Sequence, residues 1–258
     1  IMVSPYSGIT MENYIGNRAR IGVIIPSTNT AVEYDLQKIN VPGVTWHPGR
    51  FFVEAPNLQS DDAFINFLEL IRQQIPVSIR DILTCEPTAI MMGMSAETFW
   101  GGIEGNEEFI KNTKEQIGDL PLFTGAEACD AALQKLGTKN ITVITPYQPV
   151  GDENVDMFFK DVGYNIIDII GLRCDTATSI AHTPRKDIFK ALESIDLSKT
   201  DAIVQVGTNL STVDIFPTFE KQIGIPVIPI NIANAWHTLR GLGINDRIDG
   251  MGLLFEEY

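Results

Sequence analysis

The sequence predicts an α/β fold with two pseudosymmetric halves, each a doubly wound parallel sheet, and a cleft between them. Three observations predict it. Short apolar runs alternate with amphipathic segments along the 258 residues. Continuous apolar runs of this kind, lying between helical patterns, are typical of buried parallel strands. Three motifs also occur twice, in the same order.

The elements follow from this alternation. The apolar runs predict strands at 21–25, 44–53, 88–93, 120–123, 140–144, 164–170, 201–206 and 225–229. The amphipathic segments predict helices at 31–38, 60–83, 104–116, 126–136, 152–162, 185–195, 211–222 and 231–242. A helical segment separates each predicted strand from the next, as the crossover connections of a parallel sheet require.

The repeated motifs indicate an internal duplication. "ARIGVIIPSTNT" resembles "KNITVITPYQPV", "TAIMMGMSAET" resembles "DAIVQVGTNLST", and "LPLFTGAEACDAALQKLGT" resembles "IPVIPINIANAWHTLRGLGI". Any two βα units share some likeness, but the common order of three motifs favours duplication. We predict an N-terminal extension at 1–18, a first half at 19–117 joined by about 231–258, and a second half at 118–230.

Composition excludes several classes of protein. The formal net charge is −14, and lysine and arginine are scattered, so the chain lacks the basic footprint that nucleic acids need and would be repelled by anionic membranes. No apolar run is long enough to span a membrane. Three cysteines without a C-x-x-C pair argue against disulfides and zinc. We therefore expect a cytoplasmic protein with no metal, and the first residues do not resemble a signal peptide.

Polar, uncharged turns follow the predicted strands. In parallel α/β sheets, ligands bind outside the carboxyl ends of the strands. These ends are rich in hydroxyls and amides at 26–30, 93–98, 145–148 and 207–212, and a fifth such segment at 231–237 opens the last predicted helix. We expect the turns to converge on one cleft.

Neutral groups in these turns suit an anionic ligand. Helix N-termini offer free backbone N–H groups, and hydroxyls and amides add further donors, which together can bind a carboxylate or stabilise an enolate. The alternative is helix capping, since serine, threonine and asparagine are preferred N-caps. We expect Thr28 or Asn29 to cap its helix while other donors face the cleft.

The chain resembles the aspartate/glutamate racemase superfamily, and within it the branch of maleate cis–trans isomerases and arylmalonate decarboxylases. The resemblance rests on "GVIIPSTNTAVE", "MMGMSAETFWGG", "LGTKNITVITPY", "AIVQVGTNLSTVDIFPTFEKQIGIPVI" and "NAWHTLRGLG", which span about residues 20–243. It implies two pseudosymmetric halves with the active site between them, no cofactor, a small carboxylate substrate and a possible homodimer.

The resemblance also implies roles for particular residues. It places the amide and hydroxyls of Ser27, Thr28, Asn29 and Thr30 on a substrate carboxylate. A Gly-x-Ser segment supplies oxyanion donors in the decarboxylases, and Gly93, Met94 and Ser95 occupy it here. The tyrosine that points at the substrate corresponds to Tyr147, and Gly207, Thr208 and Asn209 occupy the matching turn of the second half.

The cysteines depart from the family pattern. Members use one or two cysteines as acid, base or nucleophile, at positions that correspond to about Gly93–Ser95 and to Gly207. Cys85, Cys129 and Cys174 match neither. A hydroxyl cannot replace a thiol as a free base without a partner that takes its proton. A mechanism without cysteine is therefore expected.

Several residues are candidates for moving a proton. His182 follows the predicted strand 164–170, and histidine as a residue type titrates in the useful range; a surface or satisfied histidine is the favoured alternative. Glu97 and Asp130 are acidic alternatives, but for Glu97 the favoured explanation is an acidic residue in the first turn of a helix. His237 and His47 are better explained as structural.

A bound water is a further possibility. If Ser95, Thr208 or Asn209 held a water and one of the proton carriers activated it, the site would suit hydrolysis or hydration.

We thus predict a cofactor-independent enzyme, similar to maleate isomerase, that acts on a small carboxylic or dicarboxylic acid. Ser95, Tyr147, Thr208 and His182 are its catalytic candidates. Two alternatives stay open: a hydrolase or decarboxylase that uses the same donors, and a carboxylate-binding protein without activity. Phe99 and Trp100 either wall the cleft or belong to the core.

Overall fold

The computed structural model describes residues 15–54 and 57–258. Positions 1–14 of the predicted N-terminal extension lie outside the described residues. Within the described ranges, the chain forms eight strands and ten helices. No helix in these ranges combines the length and the apolarity needed to span a membrane.

Two parallel sheets of four strands build the molecule. The first has the order β2–β1–β3–β4 and contains β1 (Ala19–Pro26), β2 (Val44–Phe51), β3 (Ala89–Met92) and β4 (Leu122–Phe123). The second repeats this order as β6–β5–β7–β8 and contains β5 (Asn140–Thr145), β6 (Asn165–Gly171), β7 (Ala202–Gln205) and β8 (Val227–Pro229). The predicted fold class is confirmed.

Helices connect the strands and cover both sheets. They are α1 (Ala31–Gln37), α2 (Asp61–Leu83), α3 (Ala96–Phe99), α4 (Gly102–Ile117), α5 (Gly125–Leu136), α6 (Pro149–Asp161), α7 (Arg185–Glu193), α8 (Phe216–Ile223), α9 (Ile230–Gly241) and α10 (Gly252–Glu257). The short helices α3 and α10 were not predicted. The start of α8 was predicted five residues too early, because the carbonyl oxygen of Thr212 closes a turn by accepting from the N–H groups of Ile215 and Phe216.

Strand β4 and helix α9 both pack on the first sheet. Strand β4 follows position 118, where the second half was predicted to begin, yet it pairs with β3 in the first sheet. Helix α9 also returns to that sheet, where the Asn234 amide donates to the carbonyl oxygen of Met92 at 2.9 Å. The predicted division of the chain into an extension and two halves stays a prediction.

An aromatic cluster joins the two halves behind the polar turns. Phe99 of α3 is fully buried. Its ring lies 5.2 Å from that of Phe158 in an edge-to-face arrangement and 5.6 Å from that of Phe159, both on α6. Phe99 is therefore a core residue, and its packing holds the turn that carries Ser95 against the second half.

Replacing Phe99 by alanine is expected to lower the free energy of unfolding by about 3–5 kcal/mol, because it removes a buried ring and leaves a cavity. Chemical denaturation measures this loss. Phe52→Ala is the control, since Phe52 is 68% exposed and its removal is expected to change stability by less than about 0.5 kcal/mol. Equal midpoints for Phe99→Ala and the unmodified protein would contradict this account of the core.

Candidate active site

A cleft lies at the carboxyl ends of both sheets and is lined by turns from each half. Its polar side is formed by Thr28, Asn29, Ser95, Tyr147, Thr208 and Asn209. Since β1 and β3 belong to one sheet and β5 and β7 to the other, the cleft is built by carboxyl-terminal turns from both sheets. The convergence predicted from the sequence is observed for these six residues.

Asn29 both caps a helix and links the halves. Its Oδ1 accepts from the N–H groups of Ala31 and Val32, each at 3.0 Å, at the start of α1. Its Nδ2 donates to Oγ1 of Thr208 at 3.2 Å. The expected capping is confirmed, and it leaves the other end of the same amide to hold a residue of the second half.

Ser95 occupies the centre of the polar side. Its Oγ accepts from the Thr208 N–H at 3.0 Å and lies 2.7 Å from Oη of Tyr147. Both side chains are buried. Burial raises the pKa of Tyr147 well above its ordinary value. The phenol therefore keeps its proton, and either hydroxyl of the pair can donate the bond between them.

Asn209 holds the second-half turn in place. Its Oδ1 accepts from the Thr30 N–H at 3.0 Å, and its Nδ2 donates to the carbonyl oxygens of Ala177 at 2.8 Å and Thr28 at 3.3 Å. These three polar bonds are all made within the protein. The structure thus uses Asn209 to fix the geometry of the turn, and its predicted contact with substrate stays a prediction.

The glycines near the cleft differ in function. Gly207 lines the cleft with φ +97°, and a Cβ there would lie 2.5 Å from Cγ of Pro146. Only glycine fits this backbone without a shift. Gly93 instead closes the β3 end by donating to the Ile24 carbonyl oxygen at 2.7 Å, and it is not among the lining residues. Its neighbour Met94 contributes apolar surface to the cleft.

Two further predicted site residues lie apart from the cleft. Ser27 is exposed, and its Oγ accepts from the Val53 N–H at 2.8 Å. His182 is exposed on a turn in which its N–H donates to the Ser179 carbonyl oxygen at 3.0 Å. Neither lines the cleft, so the geometry does not support substrate contact by Ser27 or proton transfer by His182. The turn that carries His182 directs it to solvent.

The other predicted proton carriers are engaged elsewhere. Glu97 is buried and accepts from Nε of Arg72 at 2.5 Å, and burial raises its pKa. Asp130 accepts from the Tyr164 hydroxyl at 2.8 Å. His237 packs edge-on against Phe123. Within the described part of the chain, the lining of the cleft contains no histidine, carboxylate, lysine or arginine.

An apolar wall makes up most of the remaining cleft lining. It consists of Leu58, Phe64, Phe67, Ile71, Met94, Ala177 and Ile180. Three of these lie on α2, and the spacing of Phe64, Phe67 and Ile71 is that of a single helix face. Sequence reasoning missed them because a stripe of this kind is the ordinary signal of a core-facing helix.

No cysteine lines the cleft among the described residues. Cys85 is exposed near the end of α2, Cys129 is fully buried on α5, and Cys174 is half-buried with its Sγ 3.6 Å from Oγ1 of Thr183. Burial raises the pKa of both Cys129 and Cys174 above the ordinary value of a thiol. Both are thus poorer thiolates than a free cysteine.

The fold and the site define a two-sheet α/β protein with a cleft between its halves. A sequence model of the arylmalonate decarboxylase family matches residues 79–255, which is more than half of the chain. The chain belongs to the arylmalonate decarboxylase family.

Characterised relatives include two kinds of enzyme. A maleate isomerase of Nocardia farcinica is 25% identical over 244 residues, which cover 92% of this chain and 96% of the relative. An arylmalonate decarboxylase of Bordetella bronchiseptica is 29% identical over 178 residues, 65% of this chain and 70% of the relative. This homology supports an enzyme.

Solved structures match the fold over nearly the whole chain. A cysteine-to-serine mutant of the Nocardia farcinica maleate cis–trans isomerase, which carries a covalently bound succinylcysteine intermediate, superimposes with a TM-score of 0.82 at 24% identity. The match covers 93% of this chain and 98% of the isomerase chain. A mutant of arylmalonate decarboxylase in a liganded form superimposes with a TM-score of 0.76 at 19% identity, over 93% of this chain and 99% of the decarboxylase chain.

The thiols are expected to react in the order of their exposure. In the native protein, Ellman's reagent should modify Cys85 rapidly, Cys174 slowly, and Cys129 only after unfolding, because the last is buried and its pKa is raised. Mass spectrometry of timed samples assigns each modified site. Rapid labelling of Cys129 without loss of structure would contradict its placement in the core.

Proposed function

We propose that this protein is a cofactor-independent enzyme that acts on a small carboxylic acid by stabilising an enolate with uncharged donors. The observation that carries the proposal is the cluster of Ser95, Tyr147 and Thr208 in a cleft whose remaining lining is largely apolar. Donors fixed in a site with little water stabilise developing negative charge on oxygen.

The cluster of Ser95, Tyr147 and Thr208 has hydroxyl hydrogens left over to donate to a ligand. Ser95 and Tyr147 share one hydrogen bond, which uses one of their two hydroxyl hydrogens and leaves the other for a ligand. Thr208 accepts from Asn29 through Oγ1, so its own hydroxyl hydrogen is also available. Two aimed donors can therefore meet one ligand oxygen or the two oxygens of a carboxylate.

Decarboxylation of a malonate-type acid is the reaction that this geometry supports best. One carboxylate would accept from the donor cluster while the second lies against the apolar wall, where an ion is poorly solvated. The C–C bond to the second carboxylate breaks, CO₂ leaves, and the electron pair stays on the remaining fragment as an enediolate. A proton then adds to carbon, either from the Ser95–Tyr147 pair or from solvent.

Maleate isomerisation is a second candidate, favoured by the 25% identity to a maleate isomerase over nearly the whole chain. Rotation about the double bond requires that it first lose double-bond character, which addition of a nucleophile achieves. The related isomerase structure carries a succinylcysteine, whereas the described lining of this cleft has no thiol. In this chain, isomerisation would need a mechanism without cysteine.

A panel of acids is expected to identify the reaction. Malonates with alkyl and aryl substituents should release CO₂, maleate should give fumarate if isomerisation occurs, and cyclic imides and lactones test hydrolysis. Proton NMR in D₂O follows all three reactions and shows deuterium at carbon only where a carbanion is protonated. If these acids bind and none is turned over, the protein is a carboxylate-binding protein and not an enzyme.

Ser95→Ala is expected to lower kcat by about 100-fold or more, a typical loss for one oxyanion donor, because it removes a donor and leaves Tyr147 and the Thr208 N–H unpaired. Steady-state kinetics on the best acid of the panel measure the effect. Ser194→Ala is the matched control, since Ser194 donates to the Ala191 carbonyl oxygen at the end of α7, away from the cleft. Equal activity of the two variants would exclude Ser95 from the chemistry.

A variant with serine at all three cysteine positions is expected to keep at least about half of the wild-type kcat, because no thiol lines the described part of the cleft. Serine can replace a cysteine without loss of activity only where the thiol takes no part in the chemistry. Iodoacetamide should likewise fail to inhibit the unmodified enzyme. Complete loss of activity in either experiment, with the fold intact by circular dichroism, would restore a cysteine mechanism.

The expected homodimer and cytoplasmic location stay predictions.

A further inference from the structure

A buried carboxylate lies next to the cleft without lining it. Asp35 on α1 is 1% exposed. Its Oδ1 accepts from the Ser211 hydroxyl at 2.6 Å, and its Oδ2 accepts from Nδ2 of Asn231 at 2.8 Å. Ser211 follows β7 and Asn231 lies at the start of α9, so Asp35 ties three elements together. Sequence reasoning gave this aspartate no function.

Asn231 extends this contact to the donor cluster. The second hydrogen of its Nδ2 goes to the carbonyl oxygen of Thr208 at 2.8 Å. The N–H of the same Thr208 donates to Oγ of Ser95 at 3.0 Å. A continuous series of hydrogen bonds therefore runs from Asp35 through Asn231 and Thr208 to Ser95.

We propose that Asp35 is a positioning residue, which orients Asn231 so that the Thr208 turn stays aligned with Ser95 for catalysis. The proposal rests on the proposed function, since it assigns Asp35 to the same donor cluster. Asp35 touches neither the cleft lining nor a reacting atom, so it acts only through its neighbours. A carboxylate suits this purpose because its oxygens accept from two donors without competing as donors themselves.

The negative charge of Asp35 does not stabilise the folded protein. Burial and the nearby Asp214 raise its pKa to about 6, against the lowering effect of the bonds from Ser211 and Asn231 and of the charge of Lys38. Because the folded-state pKa exceeds the unfolded value, this group's contribution to stability is present below about pH 4 and is lost as pH rises through about 6. A neutral side chain of the same shape would avoid that loss.

Four variants test the proposal on the best acid of the panel. Asp35→Ala and Asn231→Ala should each lower kcat at least about tenfold, with KM changed less than about threefold. The double variant should be at most about threefold slower than the worse single one, because both act through one series of bonds. Ser211→Ala is the control: it also removes a hydrogen bond to Asp35 but does not touch Asn231, and its kcat should stay within about twofold of wild type.

Asp35→Asn keeps the proposal testable if the alanine variant does not fold. Its amide oxygen can still accept from Asn231, and its NH₂ can donate to Ser211, so kcat should stay within about threefold of wild type. The melting temperature at pH 7.5 should not fall, and the decline of stability between about pH 4 and 6 should become shallower. A tenfold loss of kcat in this variant would overturn a role based on hydrogen-bond geometry.

Amide hydrogen exchange supplies a measurement that needs no substrate. Exchange at the Thr208 amide should be faster in Asp35→Ala and Asn231→Ala than in Ser211→Ala, while the amide of Val143 in β5 reports any general loosening. Unchanged exchange at Thr208, or faster exchange without loss of kcat, overturns the proposal for Asp35 and leaves the proposed function standing. Absence of turnover by the unmodified protein refutes the proposed function instead, and the affinity for the acid that binds tightest then replaces kcat.

Discussion

The hydrogen bond from the Thr208 N–H to Oγ of Ser95 is the contact on which the site depends. It joins the turn after β7 of one sheet to the turn after β3 of the other. Around it, Asn29 holds the Thr208 side chain and Tyr147 completes the pair with Ser95. Buried polar networks of this kind are rigid only when every member is satisfied, and here the partners come from both halves.

Neutral donors suit the electrostatic setting of this protein. The formal net charge of −14 disfavours the approach of an anion, so the anionic substrate of the proposed function would be attracted by the local dipoles of the turns. A lysine or arginine buried in the cleft would bind an anion more strongly but would be costly to desolvate. Hydroxyls and amides avoid that cost because they bond to each other in the free protein.

Two buried carboxylates support the polar turns from behind. Asp35 reaches the Thr208 turn through Asn231. Asp152 accepts from the Thr145 hydroxyl and from Arg173, which also donates to the Tyr147 carbonyl oxygen. Burial raises the pKa of both acids. Neither carboxylate lines the cleft, so the uncharged lining that the described residues form has ionisable groups directly behind it.

The amino-acid sequence by itself determined the strands and the turns that follow them. A buried parallel strand needs a continuous apolar run, and the carboxyl ends of parallel strands lie at one edge of their sheet. Asn29, Ser95, Tyr147 and Thr208 could therefore be assigned to one cleft from their places in the chain. Capping by Asn29 followed from the same local chemistry. Short helices such as α3 have too few residues to show a period.

Only the tertiary structure decided which side chains face the cleft and which bond elsewhere. Asn29 and Thr208 meet across 179 residues, as Asp35 and Asn231 do across 196. The packing of distant elements also places the apolar face of α2 in the cleft lining and leaves His182 exposed to solvent. A side chain's direction within its element is local, but the partner that it meets is set by how distant elements pack, and no periodicity in the chain encodes that packing.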